Sequence, residues 1–134
     1  MTAENTADFF VVDSSYILCY LLPDEHNDGL DLLFKKYREK TVEFISTSLL
    51  PYEVMNGLKS GYSRKRLTKN RIAEAYTIFE LLTIPLHIPK PTHVLNIALQ
   101  YNISCYDAAY IALSFDQRRP LLTFDTRLEK ISRP

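Results

Sequence analysis

The segment DFFVVD, residues 8–13, is the stretch that indicates the fold. Its four central residues are apolar β-formers in an unbroken run, which is typical of a strand buried on both faces of a parallel sheet. Ser14 and Ser15 follow at once, and either could cap a helix that starts near Tyr16. A buried strand that leads directly into a helix predicts a parallel sheet with helices packed on it.

The rest of the sequence continues this alternation of short apolar segments and helices. Further strands are predicted over residues 43–46, 84–88 and 120–124. Helices are predicted over residues 16–22, 24–40, 48–60, 68–83, 90–102 and 103–114, with a last turn from residue 125 or 126. Thr47 or Ser48 is the expected cap of the third helix. The pattern predicts one domain over residues 1–134, a three-layer α/β/α fold with a mostly parallel sheet of four or five strands.

Composition excludes several classes of protein. The three glycines are too scattered to form a phosphate-binding loop. The N-terminus lacks the basic and then apolar order of a signal peptide, and no apolar run approaches the length of a membrane span. The two cysteines lie in apolar helical segments without metal-ligand spacing, so we expect small core residues in a reducing cytoplasm.

The charges of the chain are balanced in number but uneven in position. Sixteen basic and sixteen acidic residues cancel, so the net charge does not indicate a nucleic-acid partner. Within residues 59–71, however, no acid accompanies the basic residues Lys59, Arg64, Lys65, Arg66, Lys69 and Arg71. Such a segment is either a solvated loop and helix start or a surface that follows phosphates, and the sequence favours neither.

Four acidic residues are predicted to meet at one edge of the sheet. Asp13 and Asp125 directly follow predicted strands, and Glu53 and Asp107 begin helices entered from the same edge. Considered singly, each acid has a simpler role as a helix cap, a helix-start acid or a surface residue. Carboxylates gathered at one edge need a divalent cation or protons between them, so the set predicts a site for Mg²⁺ or Mn²⁺.

Each of these acids lies within a short motif, and the four motifs follow one another in a fixed order. They read VVDSS over residues 11–15, YEVMN over 52–56, YDAAYIAL over 106–113 and LLTFDTRL over 121–128. Together they resemble the motifs of PIN domains, and among these the VapC-like toxin nucleases of type II toxin–antitoxin modules. One such motif is weak, whereas four in order over residues 9–128 are fairly specific.

The resemblance implies a cytoplasmic, Mg²⁺- or Mn²⁺-dependent endoribonuclease that hydrolyses RNA phosphodiesters. The implied metal ligands and catalytic acids are Asp13, Glu53, Asp107 and Asp125. Ser15 would orient a carboxylate or a water molecule, and Thr123 would support the last acid. PIN domains usually continue through a last helix to a final edge strand. Because this sequence stops at Pro134, we expect four strands rather than five.

The resemblance also implies partners for the protein. They are an RNA substrate, a cognate antitoxin whose C-terminal segment places an Arg or Lys in the acidic groove, and a second copy of the chain in a homodimer, with no membrane. The RNA-binding residues would be Arg64, Lys65, Arg66 and Lys69. An alternative is a catalytically silent PIN-like scaffold that binds other proteins.

Overall fold

A computed structural model of the chain describes residues 8–22 and 28–133. The polar N-terminus, Pro23 and residues 24–27, where the sequence predicts the start of the second helix, lie outside these residues. Within the described part, no helix is both long enough and apolar enough to cross a membrane.

The described residues form one parallel sheet of four strands in the order β3-β2-β1-β4. The strands are β1 (Asp8–Val12), β2 (Val42–Thr47), β3 (Leu86–His87) and β4 (Leu121–Leu122). β1 lies between β2 and the edge strand β4, and its Val11 and Val12 pair with Leu121 and Leu122 of β4. The predicted parallel α/β architecture is therefore confirmed, with four strands in the described part of the chain.

Helices connect the strands close to where the sequence predicts them. They are α1 (Ser14–Leu21), α2 (Asp28–Arg38), α3 (Leu50–Ser63), α4 (Lys69–Leu81), α5 (Pro91–Tyr101), α6 (Cys105–Gln117) and α7 (Thr126–Ser132). Each parallel connection needs a crossover, and these helices provide it. The three layers of the predicted α/β/α fold are confirmed.

Alternate residues of β1 face two separate apolar cores. Val12 packs with residues of α1–α4, whereas Val11 packs with residues of α5–α7. Both valines are fully buried. Such burial stabilises the fold by about 1.5–3 kcal/mol for each large apolar side chain. β1 thus lies in the middle of the molecule, and its carboxyl end is anchored from both faces.

Neither serine caps α1, where the simpler role of Asp13 as a helix cap is found instead, and the predicted cap of α3 is wrong. α1 begins at Ser14, so the cap is Asp13, whose side chain accepts a hydrogen bond from the Tyr16 amide. α3 begins after Leu49 without a side-chain cap, because Thr47 instead accepts a hydrogen bond from the Leu49 amide at 3.2 Å. In both places the chain changes direction within one or two residues of the strand end, which shifts the helix start away from the expected residue.

One of the two cysteine predictions is also wrong. Cys19 is buried on α1 as expected, but Cys105 is exposed. Cys105 is the first residue of α6, directly after the Ser104 cap, and the first turn of this helix projects beyond the core. The buried face of α6 starts at Ala108, where small residues allow the helix to pack closely on β1 and β2.

Candidate active site

Asp13 lies at the carboxyl end of β1 and is only 4% exposed. Its Oδ1 accepts hydrogen bonds from the Ser15 hydroxyl at 2.6 Å and from the Tyr16 amide at 3.2 Å, and Thr123 donates a further one. Burial raises the pKa of the Asp13 carboxyl, and these hydrogen bonds act in the opposite direction. The carboxylate is therefore held in one position by groups that favour its ionised form.

Ser15 and Thr123 connect Asp13 to the end of β4. The Ser15 hydroxyl accepts a hydrogen bond from the Phe124 amide at 3.0 Å. The Thr123 hydroxyl accepts one from the Asp125 amide at 3.0 Å while also bonding Asp13. Both hydroxyl residues thus lie beside the acids that the sequence associates with them, and their part in catalysis stays a prediction.

Glu53 lies in the first turn of α3 and is held by a tyrosine from the opposite face of the sheet. The Tyr110 hydroxyl donates a hydrogen bond of 2.6 Å to Glu53 Oε1 and also interacts with Thr47. Burial and the adjacent Glu53 carboxylate raise the pKa of Tyr110 well above its usual range, and Asp13 contributes to the same shift. Tyr110 therefore bonds the Glu53 carboxylate directly and is also within the electrostatic influence of Asp13.

Tyr110 is the site residue that the sequence did not identify as functional. Its ring is buried in the apolar core that α5–α7 form with β1. A buried tyrosine hydroxyl needs a polar partner, and this requirement is the one sequence signal that points beyond packing. The partner lies 57 residues away on α3, too distant for any local pattern to indicate it.

Asp107 and Asp125 lie close together at the starts of α6 and α7. Asp107 occupies the first turn of α6, where its amide donates to the Ser104 hydroxyl at 3.1 Å. Burial raises the pKa of Asp107, the Asp125 charge raises it further, and Ser104 and Arg127 lower it. The helix start alone was expected to favour the ionised form, but partial burial and a second acid outweigh it.

Asp125 is exposed and caps α7. Its Oδ1 accepts hydrogen bonds from the amides of Arg127 and Leu128 at 2.9 and 3.1 Å. The Arg127 guanidinium donates to the carbonyl oxygens of Tyr101 and Asn102, which fixes the start of α7 against the end of α5. The expected N-cap at residue 125 is confirmed, and α7 is placed so that Asp125 lies near Asp107.

The four acids thus form two pairs at the carboxyl edge of the sheet, Asp13 with Glu53 around Tyr110, and Asp107 with Asp125. In the described part of the chain, no three or more His, Cys, Asp or Glu side chains are grouped so that they could hold a metal ion. Carboxylate and hydroxyl oxygens are the donors that Mg²⁺ and Mn²⁺ prefer, so the donor set fits such an ion in its chemistry. That all four acids converge on a shared ion stays a prediction.

The basic segment lies at the opposite end of α3 from Glu53. Arg64 is the C-cap of α3, Lys65 and Arg66 lie exposed in the connection to α4, and Lys69 is the exposed first residue of α4. Arg64 follows Glu53 by eleven residues, which is roughly 16 Å along a helix. The segment therefore does not border the acids, and it could contact only a more distant part of an extended strand of RNA.

Comparisons with known proteins agree with this architecture. The sequence matches the PIN domain family over residues 10–134. It is 28% identical over 122 residues to Ribonuclease VapC3 from Pyrobaculum aerophilum, which covers 88% of this chain and 90% of the relative. The fold is similar to the crystal structure of PAE2754 from Pyrobaculum aerophilum, with a TM-score of 0.71, 20% sequence identity, and coverage of 96% of this chain and 89% of the other. The resemblance indicated by the four motifs is confirmed, and the chain belongs to the PIN-domain family.

Proposed function

We propose that this protein is a divalent-metal-dependent endoribonuclease and the toxin of a toxin–antitoxin pair. Membership of the PIN-domain family and similarity to a relative named as a VapC ribonuclease support the nuclease part of the proposal. The observation that carries it is the buried Asp13 carboxylate. It is kept in place by Ser15, Tyr16 and Thr123 at the edge where Glu53 and the other acids lie.

In this proposal the metal ligands are Asp13, Glu53, Asp107 and Asp125. A bound Mg²⁺ or Mn²⁺ would supply a water nucleophile of lowered pKa and neutralise charge on the phosphate. Other residues of the chain hold these ligands in position. Ser15 and Thr123 hold Asp13 against the end of β4, and Tyr110 holds Glu53 against α6. Ligands fixed before the substrate arrives need no reorganisation during the reaction.

The proposed partners follow from the same resemblance. A cognate antitoxin would place an Arg or Lys in the acidic groove. The positive charge of that side chain would stabilise the ionised forms of the Asp13 and Asp107 carboxyl groups. A homodimer is proposed from the family resemblance alone. The basic residues Arg64, Lys65, Arg66 and Lys69 would contact phosphates of the RNA beyond the acids.

The proposal is tested by RNA cleavage in Mg²⁺, in Mn²⁺ and in EDTA. We expect cleavage only with the metals, and a loss of more than about a hundredfold in Asp13→Asn and Asp107→Asn, since even removing a group that supports a ligand lowers activity ten- to a hundredfold. Asp116→Asn is the matched control, because Asp116 lies at the far end of α6 and pairs with His93. Cleavage that survives both EDTA and the Asp13 substitution would contradict the proposal.

A second candidate is a catalytically silent PIN-like scaffold, and it is favoured by the finding that the described residues contain no group of three or more side chains able to hold a metal ion. The two candidates differ in metal binding. A nuclease should bind Mn²⁺ in a manner that depends on Asp13 and Glu53, whereas a scaffold should not. Calorimetric titration of the wild type and of Asp13→Asn with Mn²⁺ separates them.

A further inference from the structure

A cavity lies at the edge of the sheet opposite the acids. Its volume is about 580 Å³, and it lies where the end of α6, the start of β4 and the end of α7 meet. Pro120 directly precedes β4, so the cavity is at the amino end of this strand. Its lining residue Arg118 follows Asp107 by eleven residues along α6, which is roughly 16 Å. The cavity is therefore separate from the candidate active site.

Three arginines line this cavity, which we call the arginine cavity. Arg118 and Arg133 are the exposed C-caps of α6 and α7, and Arg119 is half-buried. Among the described lining residues the one acid is Glu129, so three guanidinium groups and one carboxylate leave a net charge of +2. The helix dipole favours an arginine at each helix end. It does not explain why arginines from two helices converge on one cavity.

The turn that carries two of these arginines is fixed by hydrogen bonds. The Ser114 hydroxyl donates to the Arg119 carbonyl oxygen at 2.5 Å, and the Arg119 amide donates to the Ser114 carbonyl oxygen at 3.0 Å. The Arg119 guanidinium carbon lies 4.6 Å from the centroid of the Phe9 ring. Arg118 has a φ of 54°, in the left-handed region that glycine adopts most easily. The turn thus holds both residues at the cavity without any ligand.

The remaining walls of the arginine cavity suit a ligand with an apolar part. Phe115, which is 37% exposed, Pro120 and Leu121 line it beside the arginines. Small-molecule sites commonly have volumes of about 300–1,000 Å³ and combine apolar walls with a few polar groups. An exposed phenyl ring packs well against another ring. The cavity therefore has the size and the surface for a small molecule that contains a ring.

The charge of the lining indicates the polar part of the ligand. Guanidinium groups bind phosphate oxygens through paired hydrogen bonds. A phosphate monoester carries a charge of about −1.5 to −2 at neutral pH, which matches the +2 of the lining. A carboxylate would neutralise only half of that charge. Phosphate is therefore the anion that the cavity fits best.

We propose that the arginine cavity binds a small phosphate monoester that carries a ring, the chemistry shared by nucleoside monophosphates and aryl phosphates. The phosphate would contact Arg118, Arg119 and Arg133, and the ring would pack on Phe115. This inference goes beyond the proposed nuclease function and does not depend on it, because the two sites share no residue.

The test is a calorimetric titration of the protein in EDTA, where no divalent cation can bring a phosphate to the acids. The four probes are adenosine monophosphate, phenyl phosphate, inorganic phosphate and adenosine. We expect both esters to bind. Inorganic phosphate lacks the ring and adenosine lacks the charge, so each should bind at least about tenfold more weakly than adenosine monophosphate. Binding of adenosine monophosphate but not of phenyl phosphate would restrict the ligand to nucleotides.

Substitutions locate the binding and give it a sign. Arg118→Gln and Arg133→Gln should each weaken binding of adenosine monophosphate by about tenfold. Glu129→Gln removes the carboxylate that pairs with Arg133, so it should strengthen binding by up to about fivefold. A variant that fails to fold cannot bind more tightly. Arg71→Gln is the matched control and should bind as the wild type does, because Arg71 also forms an exposed ion pair with a glutamate, but on α4.

Several outcomes would overturn the arginine cavity as a phosphate-ester site. They are the absence of binding by both esters, equal binding of inorganic phosphate and adenosine monophosphate, and unchanged binding in both arginine variants. RNA cleavage in Mg²⁺ should be the same in Arg118→Gln as in the wild type, so a failure of this inference leaves the nuclease proposal intact. A loss of cleavage in Arg118→Gln would contradict the separation of the two sites.

Discussion

The two pairs of acids differ in whether distant parts of the chain hold them. In the inner pair, Asp13 caps its own helix through the Tyr16 amide but is also bonded by Thr123, and Glu53 accepts a hydrogen bond from Tyr110 on the opposite face of the sheet. In the outer pair, Asp125 accepts its hydrogen bonds from the backbone amides of its own helix. Asp107 lies in the first turn of another helix, within the electrostatic field of Asp125.

This difference indicates how each pair depends on the fold. The inner pair is positioned by donors from separate elements, so its geometry exists only when both faces of the sheet are packed. The outer pair is positioned by local helix starts, which form wherever α6 and α7 form. We therefore expect substitutions around the inner pair to lower activity by displacing the carboxylates. Substitutions in the outer pair should show whether an acid acts as a helix cap or as part of the metal site.

Among the substitutions that test this contrast, the largest effect is expected from Tyr110→Phe, which removes the hydroxyl that bonds Glu53 and keeps the buried ring. Without this donor the Glu53 carboxylate is no longer fixed toward the sheet. We expect RNA cleavage to fall by about ten- to a hundredfold, as is common when a group that orients a metal ligand is removed. Single-turnover cleavage at saturating Mg²⁺ measures the effect, and the free energy of unfolding should fall by only about 1 kcal/mol.

Tyr37→Phe provides the control for this substitution. The Tyr37 hydroxyl donates a hydrogen bond of 2.7 Å to the Leu82 carbonyl oxygen, away from the acids. Its loss should lower the free energy of unfolding by a similar amount and leave cleavage unchanged. If the two variants lose the same activity, Tyr110 acts only through stability and the inner pair is not positioned as described.

The same contrast explains what the sequence could predict. The strand β1 and the helices predicted over residues 68–83 and 103–114 follow from local patterns, and all three are found with small shifts of their ends. The sequence offers Asp13 and the two serines after it as caps of α1, and because all of these residues cap helices well, only the structure identifies Asp13 as the cap. The contact between Tyr110 and Glu53 depends on packing across the sheet, to which no local pattern refers.

The outer pair also has a property that the sequence does not predict. The acid at the start of α6 was predicted from the sequence, but the raised pKa of Asp107 was not. The shift depends on burial and on the nearness of Asp125. That nearness in turn depends on Arg127, which bonds the last carbonyl groups of α5. A sequence pattern indicates which residues carry charge, whereas their mutual distance is a property of the packed helices.

A smaller effect is expected from two substitutions of Asp125, which separate its cap from its charge. Asp125→Asn keeps an oxygen that can accept from the amides of Arg127 and Leu128, whereas Asp125→Ala removes it. Both should lower cleavage by about tenfold if the charge contributes to the metal site. Only the alanine variant should lose about 1 kcal/mol of stability, measured by urea unfolding. Full activity in the asparagine variant would limit Asp125 to capping.

The smallest effect concerns the stability of the protein as a function of pH and metal. The pKa values of Asp13 and Asp107 are raised above 3.8, mainly by burial. Without metal, the stability that these groups contribute is fully present below the unfolded value and is lost as pH rises through the folded value. A cation that binds the ionised carboxylates counteracts this loss. Mg²⁺ should therefore raise the Tm more at about pH 8 than at about pH 5.

Thermal unfolding with and without Mg²⁺ at both pH values measures this difference. At a concentration about a hundred times its Kd, a ligand stabilises the folded state by about 2.7 kcal/mol, which is several degrees in Tm for a domain of this size. Asp13→Asn should reduce the shift and flatten its pH dependence, while Asp116→Asn should keep both. An equal Mg²⁺ shift at both pH values, unchanged in Asp13→Asn, would mean that the inner pair does not bind the cation. The two pairs of acids would then differ in structure alone.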